Sequence, residues 1–131
     1  MERSPDVRIN SFGFRHRPGV AGDLVVDLRD HFSDPLDDLA LRELTGHDDR
    51  VRAHVLGTPG ITDLLDAMTP PVLVLAHVAR RPIEVGFGCG GGRHRAPVAA
   101  RELGARLRRA GLRVVVDDLD LHRPVLPSPR R

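Results

Sequence analysis

The residues with the clearest capacity for chemistry stand together at Gly88-Cys89-Gly90-Gly91-Gly92-Arg93-His94-Arg95. Small residues between a strand and a helix leave backbone N–H groups pointing outward, and the helix dipole adds about half a positive charge there. Such a loop accepts a phosphate at close range. The three potentially cationic side chains that follow are an electrostatic conflict, because a helix N-terminus prefers negative charge. A bound anion would relieve it, and this local inconsistency marks the segment as a candidate site.

Residue type alone leaves four readings of the loop. In the first, the glycines turn the chain and the arginines extend into water, although five glycines within residues 86–92 exceed what a solvated turn requires. In the second, Gly86-x-Gly88-x-x-Gly91 is a dinucleotide fingerprint, with Asp117 or Asp118 ending the next strand as the ribose-binding acid. No second half-domain accompanies it, and Arg93-His94-Arg95 follows where small residues would let the helix pack closely. In the third, Cys89 and Arg95 are catalytic, since they have the C-x5-R spacing of cysteine phosphatases, where a thiolate attacks phosphorus and the arginine grips its oxygens. That spacing is cheap in a chain with 20 Arg, and Ala96 stands where a hydroxyl usually assists the leaving thiolate. In the fourth, the loop amides with Arg93, His94 and Arg95 bind a phosphorylated ligand without chemistry of their own. This last reading leads, and it leans against an enzyme.

The positioning elements follow from periodicity. Residues 7–14 alternate as a strand and run into Arg15-His16-Arg17-Pro18-Gly19, a loop with three potential cations. Residues 24–29 form a second short strand. Residues 30–49 are acidic and rich in turn formers, and Asp48 or Asp49 caps a helix to about Leu56. Residues 61–81 are helical in pattern, with Pro70-Pro71 expected to kink or split them. A strand at 83–87, the glycine loop, a helix at 93–110 and a strand at 112–117 make a βαβ unit with parallel strands. Pro97 suits the first turn of that helix, Glu102 is placed to pair with Arg106, and Gly111 ends it. The fold class is therefore α/β: a single domain over 1–131 with a small, mostly parallel sheet and flanking helices. About six N-terminal residues and residues 121–131 are expected to be flexible.

Composition narrows the function classes. The chain has 131 residues and one cysteine, which excludes an internal disulfide framework and a cysteine zinc cage. No apolar run approaches the roughly 18 residues of a membrane span and no leader opens the chain, so no membrane partner and a cytoplasmic location are expected. All 20 basic residues are Arg, and the formal net charge is +2. Residues 1–92 hold 10 Arg against 14 acids, a balance of −4, whereas residues 93–131 hold 10 Arg against 4 acids, a balance of +6. A basic final third suggests an anionic partner there. With no Trp, no Tyr and four Phe, base-stacking platforms are not expected.

Four segments, in order, resemble the RNase adapter protein RapZ family (YvcJ-type), specifically its C-terminal domain. The glycine loop resembles the family's G-C-T-G-G-x-H-R-S, and Ser11-Phe12-Gly13-Phe14-Arg15-His16 resembles its S-F-G-[FY]-K strand and loop. Asp27-Leu28-Arg29 resembles its D-[VL]-R, and Leu44-Thr45-Gly46-His47-Asp48 its L-T-G-x-D. The resemblance implies a domain akin to a sugar-phosphate-binding subdomain of phosphofructokinase. It also implies homo-oligomerisation, sensing of glucosamine-6-phosphate, and RNA binding that hands RNA to a ribonuclease. The family's N-terminal P-loop has no counterpart here, since no Lys is present. Gly90 and Ala96 replace a family Thr and Ser. The family's Lys-rich RNA-binding stretch is represented only by Arg113, Arg123, Arg130 and Arg131.

The candidate ligand site therefore comprises Gly88, Cys89, Gly90, Gly91, Gly92, Arg93, His94 and Arg95, with Arg15 and His16, Asp27 and Arg29, and Thr45 and Gly46 around it. Asp27 and Arg29 fit a structural ion pair as readily as a ligand contact, and Thr45-Gly46 fits a turn. His54 and His77 lie in helical patterns without a functional role. His31, His47 and nearby acids match no metal ligand set, so no metal and no cofactor are expected. The expected ligand is an amino-sugar phosphate or a nucleotide, and the output regulatory.

Overall fold

A computed structural model describes residues 4–32 and 38–126, and it is an α/β domain as expected. Four strands, β1 (Val7–Gly13), β2 (Leu24–Asp27), β3 (Ile83–Cys89) and β4 (Val114–Asp118), form one sheet in the order β2-β3-β1-β4. Every pairing is parallel, with Val7 opposite both Ile83 and Val114. Parallel strands at the middle of a sheet read as continuous apolar runs because both faces are covered. β3 obeys this, with Glu84 its one residue that is not buried.

Helices α1 (Asp49–Leu56), α2 (Ile61–Val78) and α3 (Arg95–Arg109) form the second layer. Val7, Ile9, Ile83, Val85 and Phe87 meet Val51, Val55, Leu65, Val72, Leu103 and Leu107 in a single core. Asp48 caps α1 by accepting the Arg50 N–H at 2.8 Å, as its position before the apolar repeat predicts. Gly111 takes φ +95° just past α3, the left-handed conformation that ends a helix and favours glycine.

Three local expectations are corrected. Pro70-Pro71 does not split α2, which runs unbroken over 18 residues. The carbonyls left without a helical donor belong to Asp66 and Ala67, which are exposed residues. α2 is also apolar and long enough to cross a membrane by length and composition (mean hydropathy 1.3), contrary to the expectation that no segment approaches this. It packs on the core through Ile61, Leu65, Met68 and Val72. Glu102 does not pair with the Arg106 guanidinium through its side chain. It binds Arg52, while Arg106 Nε binds Asp66 Oδ1 at 2.7 Å.

The sheet face away from the helices explains two glycines. Phe12 and Phe14 meet edge to face there, their centroids 5.0 Å apart. A Cβ on Gly88 would lie 2.3 Å from Phe14 Cε2 and 2.7 Å from Phe12 Cε2, and one on Gly86 would lie 3.1 Å from Phe12 Cε1. These strand residues are small to admit aromatic rings. Gly88→Ala is expected to cost about 1–3 kcal/mol, because the rings must shift. Gly90→Ala, where nothing lies within 4 Å, is expected to stay within about 0.5 kcal/mol of the parent. Urea denaturation of the two variants checks the contrast.

Candidate functional site

Because all four strands are parallel, their carboxyl ends share one edge, where open α/β sheets bind ligands. There the loop after β1 and the glycine loop after β3 touch backbone to backbone. The Phe14 N–H donates to Cys89 O at 2.8 Å and the Arg15 N–H to Gly90 O at 3.1 Å. A Cβ on Gly13 would sit 2.4 Å from the Gly91 carbonyl carbon, and one on Gly92 would sit 2.5 Å from Gly13 N. Gly92 also has φ +76°. Neither position accepts a side chain.

Beneath this contact lies Asp120, fully buried. Its carboxylate accepts the Gly13 N–H at 2.8 Å, Arg17 Nε at 3.1 Å and Arg123 Nε at 2.7 Å. Burial alone would raise this carboxyl. The Gly13 amide and the two guanidinium groups outweigh it and hold the group below the usual carboxylate range. Asp120 ties the start of the β1 loop to the segment after β4, and Leu121 beside it is buried rather than loose. Sequence reasoning missed this residue. Its only signal was a lone acid between two leucines just past a strand.

The three cations after the loop relieve their conflict with the helix N-terminus through carbonyl oxygens of the protein itself. Arg95, only 4% exposed, directs Nη1 to the carbonyls of Leu28, Arg29 and Phe32 at 2.9, 3.0 and 3.2 Å. His94, also buried, donates from Nε2 to Arg42 O at 2.9 Å. Arg93 donates to the carbonyls of Glu43, Leu44 and Arg123. Each side chain thus fastens a neighbouring loop to the glycine loop.

Cys89 and Arg95, the pair with the C-x5-R spacing, are both built into the buried side of this edge. Cys89 is 3% exposed, its sulfur accepts the Gly92 N–H at 3.3 Å, and Arg95 Nη1 is occupied by carbonyls. The dinucleotide fingerprint also dissolves. Gly86 and Gly88 belong to the strand, and β1 lies between β3 and β4, so Asp117 and Asp118 are not on the strand beside the loop.

The remaining candidates divide. Arg15 and His16 stand at the loop contact, and His16 Nε2 is buried with no hydrogen-bond partner among the described residues. Asp27 and Arg29 form a two-toothed ion pair at 3.0 and 2.7 Å, with the Arg29 guanidinium 4.0 Å above the Phe14 ring. That hydrogen bond to Arg29 holds the Asp27 carboxyl below its ordinary range. Thr45 Oγ1 accepts the His47 N–H, and Gly46 lets the turn approach His94 O and Pro97, so both act as a turn. Arg113 binds Asp6 through its N–H and Ser4 O through its guanidinium, and Arg123 binds Asp120. Arg130 and Arg131 lie outside the described residues. Sequence reasoning also missed a chain in which Ser11 Oγ donates to Asp118 Oδ1 at 2.6 Å and Asp118 Oδ2 meets His47 Nε2 at 2.7 Å. No group of three metal-ligating side chains occurs among the described residues.

The parallel sheet, with a glycine loop joining strand to helix at its carboxyl edge, defines the class: an open α/β domain with its connecting loops gathered at that edge. Within that class, the chain belongs to the RapZ C-terminal domain family, whose sequence pattern matches residues 5–122. Its relatives include proteins named nucleotide-binding protein. One from Bifidobacterium longum (strain DJO10A) is 36% identical over 121 residues, covering 89% of this chain and 37% of its own length. One from Streptomyces coelicolor is 34% identical over 128 residues, covering 93% and 42% respectively. One from Acidothermus cellulolyticus is 39% identical over 107 residues, covering 76% and 33%. The chain thus spans about two fifths or less of these relatives.

The Asp120 network has a pH signature. The native carboxyl releases its proton more readily than an unfolded Asp at about 3.9, so the native state binds fewer protons. Its contribution is whole above about pH 4 and fades as pH falls through the lower native value. Asp120→Asn is expected to cost about 3 kcal/mol at pH 7, by leaving two guanidinium groups unpaired around a neutral amide. The gap to the parent narrows toward pH 3, and chemical denaturation at the two pH values measures it.

Proposed function

We propose that this domain is a regulatory binding module, not an enzyme, and that its glycine loop takes the phosphate of a small phosphorylated molecule. The observation that carries the reading is a pair of unclaimed amides. Among the described residues, neither the Gly90 nor the Gly91 N–H donates a hydrogen bond, and the space beside both residues is open to at least 4 Å. Adjacent free amides ahead of a helix fit the oxygens of a phosphate. The unpartnered, buried Nε2 of His16 belongs to the loop that hydrogen-bonds Gly90, and a ligand oxygen there would satisfy it.

The same geometry supports a reading without chemistry. The thiol is buried and the nearby guanidinium groups hold carbonyls, so no nucleophile faces the open loop. The output is then structural. Through Arg93, His94 and Arg95 the loop is fastened to segments 28–32 and 42–44, and a bound phosphate stiffens all of them together. Relatives named nucleotide-binding protein support a nucleotide as the ligand class, with an amino-sugar phosphate as the other member of the same chemistry.

Calorimetry against ATP, ADP, AMP, glucosamine-6-phosphate and inorganic phosphate tests the reading. Saturable heat is expected with at least one of them. His16→Ala is expected to weaken it about tenfold, one lost hydrogen bond to a charged oxygen, without lowering the melting temperature. Gly90→Val fills the open space and is expected to abolish binding in a folded protein. No heat with any of these ligands overturns the proposal.

A further inference from the structure

At the end of the sheet opposite the glycine loop, α2 and the turn between α3 and β4 form an apolar groove of about 600 Å³, lined by Leu73, Val74, Val78, Ala110 and Leu112. The groove opens onto the outward face of α2, which is almost without polar groups from residue 67 to 78. Its exposed positions there are Ala67, Pro70, Pro71, Val74, His77 and Val78, with Val74 and Val78 63% and 70% exposed. The opposite face of α2 is buried in the core through Leu65, Met68 and Val72. A helix that is apolar on both faces belongs between two surfaces, not between a core and water. At 1.5 Å per residue the strip from Ala67 to Val78 runs about 16 Å, or about three helical turns. A groove between two helices that continues as a strip of this length is the shape that receives the apolar face of an amphipathic helix.

The charges around the groove say which helix it suits. Arg80 stands exposed two residues past Val78, Arg109 stands exposed beside Ala110, and His77 lines the groove itself. Among the described residues Asp6 is the one carboxylate lining it, and Asp6 Oδ2 already accepts the Arg113 N–H at 2.8 Å. At the far end of the strip the sign reverses, since Asp63 and Asp66 stand exposed in the first two turns of α2. Asp66 takes Arg106 on one side yet its side chain remains 68% exposed. We propose that the groove and strip bind an amphipathic helix of a partner protein, one with carboxylates in its first turn, running antiparallel to α2. Acidic residues stabilise the first turn of a helix, and in this orientation they meet Arg80, Arg109 and His77. The partner's positive dipole end then lies on the C-terminal carbonyls of α2. Apolar side chains at i, i+3, i+4 and i+7 fill the groove and lie along Val74, Pro71 and Pro70. A parallel helix would set its acids against Asp63 and Asp66. A nucleic acid is the poorer match, because its phosphates would meet the cationic rim and leave the apolar strip in water. The proposal goes beyond the reading of the glycine loop and does not depend on it.

Fluorescence anisotropy with the full chain tests it, using three labelled peptides of about four helical turns. All carry leucine at i, i+3, i+4 and i+7 spacing, and they differ only in a first turn of Glu, Gln or Arg. The Glu peptide is expected to bind saturably and about tenfold more tightly than the Gln peptide at low ionic strength, a margin that shrinks as salt is raised. The Arg peptide is expected to bind most weakly. Val74→Asp is expected to abolish binding, and the milder Val78→Ser to weaken it, which keeps the test decisive if Val74→Asp does not fold. Arg80→Glu and Arg109→Glu are each expected to cost the Glu peptide about threefold and to leave the Gln peptide unchanged. Arg101→Glu, the same charge change at an exposed position elsewhere on α3, is expected to leave all three unchanged. No binding, or equal affinity for the three peptides, overturns the proposal. A chain that refuses the peptides yet retains single-stranded RNA through Arg80 and Arg109 overturns it in favour of a nucleic acid. One that refuses them because it is dimeric through Val74 overturns it in favour of a second copy.

Discussion

The structure depends on one close approach, where the backbone of Gly13 meets that of Gly91 and Gly92 at the carboxyl edge of the sheet. A Cβ on Gly13 or Gly92 would fall within 2.5 Å of the other chain segment, so glycine is the only residue type either position admits. The contact orients two loops that are 75 residues or more apart in sequence. It is fixed from below by Asp120, whose buried carboxylate takes the Gly13 amide and two guanidinium groups. A buried carboxylate with three charged or backbone donors is costly to disturb, because removing any one partner exposes the desolvation of the rest. The geometry of the glycine loop therefore rests on a residue that stands beneath it and holds Gly13.

The cations beside the loop are structural in the first instance. Three guanidinium or imidazole groups at a helix start oppose the helix dipole. The protein resolves this by pointing them at carbonyl oxygens of other loops, which supply the negative ends of dipoles without net charge. What remains on the open side of the loop is backbone: the amides of Gly90 and Gly91. A loop built this way presents two N–H groups to its open side, while Arg93, His94 and Arg95 join it to segments 28–32 and 42–44. The same division separates the two surfaces of the molecule. The carboxyl edge of the sheet is polar backbone, and the outer face of α2 is apolar side chain.

Much of the fold was legible because periodicity and punctuation coincide. Alternation marked β1, the capping Asp48 marked α1, and Gly111 marked the end of α3. α2 was legible as a helix but not as an unbroken one. Proline removes a backbone donor and crowds the carbonyl four residues back, a local cost that the packing of Ile61, Leu65, Met68 and Val72 on the core overrides. Within the site, the glycine loop itself was visible as composition. The partners of Arg93, His94 and Arg95 were not, since backbone carbonyls carry no residue-type signature. Gly86 and Gly88 misled in the other direction. They fit a phosphate-binding spacing, but the reason for their size is the pair of phenylalanine rings on the sheet face.

The sequence by itself determined which segments are strands and helices, that a glycine-rich turn joins a strand to a helix, and that positive charge gathers in the last third. Those properties are local, set by side-chain periodicity, backbone freedom and formal charge. Only the tertiary structure decided the strand order, and with it the placing of β1 between β3 and β4. It also decided that Arg95 donates to the carbonyls of Leu28, Arg29 and Phe32, that Asp120 holds Gly13, and that the outer face of α2 is left exposed among the described residues. Each of these depends on which distant segments come within hydrogen-bonding or van der Waals distance, and those distances follow from the topology of the sheet.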